Sequence, residues 1–198
     1  MTATLLQMSG ADLTPNALSD SVLVLIDMQG EYRTGALPLP DVDSATAEAA
    51  ALLERARAAG TPVVHVAHKG AAGSVFDLDG PGGALLDPVA RRDGEAYVVK
   101  DKPNAFADTD LHDILQKTGR RKLIVVGFMT HMCVSSTVRA GFDLGYWSTV
   151  VANACATRGL PAPVGKDEIS AGDLHRAALA SLSDRFAIIV EDGAKIPS

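Results

Sequence analysis

The stretch Leu123-Ile-Val-Val-Gly-Phe-Met-Thr-His-Met-Cys-Val-Ser-Ser-Thr-Val138 decides how this chain is read. Its first four residues are apolar without alternation, the pattern of a strand covered on both faces. Gly127 then turns the chain, and a helix-forming segment starts near Cys133. A cysteine in the first turn of a helix meets unpaired backbone N–H groups and the positive end of the helix dipole. Both favour thiolate over thiol, and thiolate is the nucleophilic form. The same residue also fits as a small buried hydrophobe.

Working outward, the strand–helix rhythm repeats. Ser21–Ile26 is a second continuous apolar run, ended by the carboxylate of Asp27. Further strands are expected at Pro62–Ala67, Tyr97–Lys100, Trp147–Ala152 and Phe186–Val190, with the opening run placed at Lys122–Val126. Between them, Asp43-Ser44 can cap a helix from Ala45 to Ala59 with Leu52, Leu53 and Ala56 inward. Asp108 can cap a second, carrying Leu111, Ile114 and Leu115. The helix after Cys133 would bury Val134, Val138 and Leu144 and stop at Gly145. A last helix spans Asp173–Asp184, with Leu174, Ala178 and Leu182 inward. Residues 70–95 and 153–172 read as loops. This alternation predicts a single α/β domain over residues 1–198, with its core at about 21–190: a three-layer αβα Rossmann-like arrangement around a parallel sheet, joined by right-handed crossovers.

Bulk properties narrow the function. Eighteen Lys and Arg against 24 Asp and Glu give a net charge of −6 with no basic cluster, which argues against nucleic acid as a partner. No apolar stretch approaches membrane-spanning length. Residues 1–20 lack the basic start and apolar run of a signal peptide. Two cysteines, Cys133 and Cys155, form neither a CxxC pair nor a disulfide scaffold. The expectation is a cytoplasmic protein with reduced thiols, acting on a small molecule.

Asp27, Lys100 and Cys133 share a position: each lies at or just past the C-terminal end of an expected parallel strand, the edge where open α/β sheets bind ligands. A carboxylate, an ammonium and a thiol meeting there can do chemistry. The lysine and the helix dipole would hold the thiolate, the aspartate would carry its proton, and backbone N–H groups near Cys133 would bind an oxyanion. Singly, each also fits a bland role: a strand-end turn for Asp27, a surface charge for Lys100, core for Cys133.

Three motifs, in order and correctly spaced, resemble the isochorismatase-like cysteine hydrolases over nearly the whole chain. They are Leu25-Ile-Asp-Met-Gln29; Val99-Lys-Asp-Lys-Pro-Asn-Ala-Phe106 followed by Thr109-Asp-Leu111; and Gly127-Phe-Met-Thr-His-Met-Cys133-Val. The resemblance implies a six-stranded sheet of order 3-2-1-4-5-6 and an Asp-Lys-Cys triad. In it Cys133 is the nucleophile, Asp27 the general base and Lys100, rather than Lys102, the cation that lowers the thiol pKa. It also implies a cis peptide between Phe128 and Met129, with an oxyanion hole from the Met129 and Cys133 N–H groups, no cofactor, and a homo-oligomer, dimer or tetramer. Relatives that hydrolyse nicotinamide carry an Asp-x-His metal motif after the second strand. Here His65-Val-Ala-His68 stands instead, on opposite strand faces, so no metal site is expected. His65 would be packed and His68 near the pocket mouth. Gln29, His68, Phe76, Asn104, Phe106 and His131 are the candidate substrate contacts, and Phe76, Tyr32 and Trp147 the candidate walls, each with a packing or structural role as its alternative. Thr130 would serve the turn and Cys155 would be inert. The reaction expected is hydrolysis of a small amide or related C–N bond through a thioester. Its rivals are a vinyl-ether hydrolase with Asp27 as general acid, and a non-catalytic thiol sensor or scaffold.

Overall fold

The computed structural model describes residues 2–165 and 167–198. After a short helix α1 (Leu5–Met8), the elements run β1 (Ser21–Ile26), α2 (Glu31–Thr34), α3 (Val42–Ala58), β2 (Val63–His68), β3 (Ala96–Lys100) and α4 (Leu111–Lys117). They continue with β4 (Lys122–Phe128), α5 (Ser135–Asp143), β5 (Trp147–Ala156), the two-residue strands β6 (Leu160–Pro161) and β7 (Glu168–Ile169), α6 (Ala171–Arg185) and β8 (Ala187–Val190). Six of the strands form one parallel sheet of order β3-β2-β1-β4-β5-β8. Counting only those six, this is the expected 3-2-1-4-5-6 order.

All six residues of β1 are buried, and they alternate between two cores. Leu23 and Leu25 face one cluster with Leu52 and Leu53 of α3. Val22, Val24 and Ile26 face the other, with residues of α4, α5 and α6. Each such side chain contributes about 1.5–3 kcal/mol by leaving water, which is why both faces of the central strands must be apolar. At Gly127 φ is +121°, and a Cβ there would meet the Ile26 carbonyl oxygen at 2.0 Å. Only glycine lets β4 and β1 approach so closely just below the site.

Several boundaries differ from the expected ones. Helix α3 begins at Val42 after Asp41, with no side-chain cap, so Asp43 and Ser44 lie inside it. Asp110, not Asp108, precedes α4; Asp108 has φ 56° and pairs with Lys102. Leu144 follows the last residue of α5 and is exposed, because the helix ends before it can turn inward. Helix α6 starts at Ala171, capped by the Ser170 hydroxyl, and buries Leu179 and Leu182. The largest difference is β5, expected to end at Ala152. It continues to Ala156, with a register shift that carries the pairing from Val125↔Val150 to Gly127↔Cys155 and Phe128↔Ala156. Pairing with the end of β4 overrides the weak strand preference of Asn153 and its alanine neighbours.

His65 is buried, as expected, and its Nε2 lies 2.8 Å from Glu95, which also takes a two-point contact from Arg57 at 2.7 and 2.9 Å. Burial raises the Glu95 carboxyl, but Arg57, the Arg92 N–H and His65 outweigh it and hold it at about 2. This depressed value stabilises the fold fully above the unfolded pKa near 4.5, and the contribution is lost as pH falls towards 2. A shift of that size is worth roughly 3 kcal/mol. Glu95→Gln is therefore expected to lower the unfolding free energy at pH 7 by about 2–3 kcal/mol and to flatten its fall below pH 4.5. Urea titrations at pH 7 and pH 3.5 check this; an equal loss at both values would remove the ion pair as its cause.

Candidate active site

Three strand ends bring the expected triad together. Asp27 directly follows β1 in a left-handed turn with φ 50°, Lys100 ends β3, and Cys133 lies in a π-helical turn (Thr130–Val134) that runs into α5. All three are buried, at 0%, 2% and 4% exposure. The Lys100 ammonium stands 2.6 Å from Asp27 Oδ2, 3.3 Å from Cys133 Sγ and 3.0 Å from His68 Nδ1. An ammonium has three N–H donors and no acceptor. Two of these reach His68 and Cys133, so His68 Nδ1 must be the acceptor, which puts the imidazole proton on Nε2. Burial and then Lys100 push the His68 imidazole down to about 4, so the ring is neutral at physiological pH.

The electrostatics correct one expectation. Burial, followed by the Asp27 charge, pushes the Cys133 thiol up to about 12, with Lys100 pulling the other way. A dry site and a neighbouring carboxylate outweigh one ammonium and one short helix. Burial also raises the Asp27 carboxyl, against the pull of Lys100. The carboxylate contacts Lys100 closely but off the hydrogen-bond directions, so neither oxygen has an aligned donor. The arrangement is a protonated thiol beside a poorly solvated base, rather than a preformed thiolate.

Asp27, His68 and Cys133 each place a ligand atom within 4.8 Å of the others, the one group of metal-type ligands among the described residues. The Lys100 ammonium touches all three and fills the place a metal ion would take.

The other candidates divide. Phe76 is buried, with its ring centroid 5.1 Å from that of Tyr32 and 5.2 Å from that of His68. Met129 is buried; the peptide that precedes it, Phe128–Met129, is cis, and its N–H has no acceptor among the described residues. His131 lies in the turn, with Nδ1 against the Thr157 hydroxyl. Thr130 ties the turn to the Ala156 carbonyl and to His175 of α6.

Gln29 is buried, and its amide is occupied within the chain. Its amide donates to the His68 and Gly83 carbonyls at 2.9 and 2.8 Å and accepts the His68 N–H at 2.8 Å. It clamps the ends of β1 and β2 to the loop that covers them. Asn104 folds its own loop by accepting the Phe106 N–H. Phe106 stacks on Tyr146 and is half-buried against the core that α4 and α5 cover. Trp147 opens β5 opposite Lys122, at the far end of the sheet from the site. Cys155 is buried, and burial pushes its thiol up to about 12, in keeping with an inert role.

Two participants escaped the sequence reading. His68 was expected near the mouth, but as a partner of Lys100 it had no signal beyond its place at a strand end. Arg158 was hidden in an expected loop. It follows β5 by two residues, and its Nε is buried with no acceptor among the described residues.

A model of the Isochorismatase domain matches residues 21–192. This chain belongs to the isochorismatase family. It is similar to the Secreted isochorismatase effector Isc1 of Verticillium dahliae, 39% identical over 92% of this chain and 94% of that protein. A Streptothricin hydrolase of Streptomyces noursei is 36% identical over 84% of this chain and 67% of its own length. Among solved structures, an isochorismatase from Pseudomonas putida KT2440 has 40% identity and a TM-score of 0.94, covering 99% of this chain and 100% of that one. With them the protein is placed among the hydrolases of the isochorismatase family, in a fold whose triad-bearing edge is the one described above.

Proposed function

We propose that this isochorismatase-family hydrolase cleaves a small amide or related C–N bond through Cys133. One observation carries the reading: a thiol, a carboxylate and an ammonium from three strand ends converge in a buried site at 3.3 and 2.6 Å. As Cys133 Sγ attacks the carbonyl, its proton passes to Asp27, which a dry environment makes a stronger base. The carbonyl electron pair moves onto oxygen, held by the Met129 and Cys133 N–H groups. Collapse of this intermediate breaks the C–N bond, and Asp27 hands its proton to the leaving amine. Water then attacks the thioester, again with Asp27 as base, to release the acid and restore the thiol. Lys100 fixes both partners and offsets negative charge throughout. The same reading takes the chain as a cytoplasmic homo-oligomer, for which Tyr97 and Val99 on the edge strand β3 supply exposed apolar surface.

A vinyl-ether hydrolase is the second reading, favoured by the similarity to an isochorismatase effector. There Asp27 protonates the substrate and Cys133 is incidental. Rapid quenching of wild type with a panel of small amides, followed by intact-mass spectrometry, separates the two. An acyl adduct on Cys133, absent from Cys133→Ala, is expected. Full isochorismate turnover by Cys133→Ala, with no adduct from any amide in wild type, would reverse the assignment.

A further inference from the structure

Around the triad one cation, Arg158, has no counter-charge among the described residues. Ala156 pairs with Phe128, and Thr157 bonds His131, which sets Arg158 against the turn that carries Met129 and Cys133. The Arg158 charge is felt at the His131 ring and at the Tyr32 hydroxyl, and Tyr32 also feels Asp27 and Cys133.

No carboxylate answers it among the described residues: Arg158 is in none of the ion pairs there. Glu31, beside Tyr32, accepts the Ala36 N–H with one carboxylate oxygen. Glu168, across the β6–β7 hairpin, lies against Gly159 and forms no ion pair with Arg158. Burying a charged N–H without an acceptor is costly. The Arg158 Nε nevertheless has none among the described residues, which leaves the half-buried guanidinium open to an acceptor carried by a ligand. Lys100 is already held at close range by Asp27, His68 and Cys133.

We infer that Arg158 binds a carboxylate on the substrate, so that the enzyme acts on small amides bearing one acidic group. Guanidinium Nε–H and Nη–H groups form a planar fork that matches a carboxylate with two parallel hydrogen bonds. One unanswered cation fits a monoanion. The inference rests on the hydrolase reading for the word substrate, but the binding group stands on its own observations.

Two measurements test it, in wild type, Arg158→Gln and Arg158→Lys. First, Cys133 is alkylated at about pH 9 with iodoacetate and with iodoacetamide, reagents of one shape that differ by a carboxylate. Arg158→Gln is expected to lower the iodoacetate rate relative to the iodoacetamide rate by roughly tenfold or more, with Arg158→Lys between. Second, succinamate is compared with methyl succinamate as substrate. Wild type is expected to prefer the carboxylate by roughly 10- to 100-fold in kcat/KM, and Arg158→Gln to lose that preference mainly through KM. An alkylation ratio unchanged in Arg158→Gln would overturn the assignment. Turnover of neither amide, with the alkylation ratio still responding to Arg158, would instead count against the amide reading and leave the carboxylate site in place. If Arg158→Gln does not fold, the ratio in Arg158→Lys decides, since the shorter cation loses the fork.

Discussion

Asp27→Asn is expected to abolish turnover while making Cys133 more reactive towards a simple alkylating agent. The two effects have one origin. In the wild type, burial and the Asp27 charge hold the thiol at about 12. Removing that charge leaves the Lys100 ammonium, 3.3 Å from Sγ, with sulfur as the only group nearby able to become its anion. The thiol should then titrate well below its wild-type value, with burial still raising it, and iodoacetamide alkylation at pH 7.5 should quicken by at least about tenfold. Hydrolysis nevertheless fails, because no group remains to move the proton from the thiol to the leaving amine; a loss of about 10²–10⁴ in kcat is expected for a proton-transfer residue. Asparagine suits the test, since it tolerates the left-handed backbone (φ 50°) found at this position. A thiol that stays as unreactive as in wild type would show that the carboxylate is not what holds it protonated.

Lys100→Met is expected to do the most damage to the fold itself. It leaves Asp27 at 0% exposure with no counter-charge. Breaking a buried pair by removing one partner typically costs about 3–5 kcal/mol. Asp27 should respond by taking up a proton, so the variant is expected to recover stability as pH falls. This sign follows from a carboxyl whose folded pKa lies above its unfolded value. The double variant Asp27→Asn, Lys100→Met removes both charges and should regain much of the loss at pH 7. Urea unfolding of the two singles and the double gives the coupling directly. Additive losses would mean that the close contact in the structure is not an energetic pair. Activity is lost in every case, so the stability cycle carries the result.

How much could be seen beforehand follows from which physical terms a sequence displays. Continuous apolar runs such as Val22–Ile26 and Leu123–Val126 announce strands buried on both faces, and that yields the layered fold. Asp27, Lys100 and Cys133 were visible because each ends such a run. Charge signs were visible too, but depth was not: the direction of the Cys133 shift turns on burial, which no spacing reveals. The contacts of Gln29 and Phe106 were hidden for a related reason. Polar and aromatic residues beside a site look alike whether they face ligand or neighbouring backbone, and only the tertiary path of residues 70–86 and the packing of Tyr146 decide. Arg158 was obscured by Asn153 and Ala154, which interrupt the apolar pattern while the strand continues in contact with β4.

The three close contacts of Lys100 have a consequence for how the molecule assembles. They reach groups supplied by the end of β1, the end of β2 and the turn after β4, while the lysine itself comes from β3. Its partners lie 73, 32 and 33 residues away along the chain, so the ammonium finds them only after four strands have docked side by side. Contacts of such separation form late, because chain entropy must first be overcome. The catalytic constellation is thus also a completion mark for the sheet: in a nascent or partly opened chain Cys133 is an ordinary thiol, and only the finished domain withdraws it from solution chemistry.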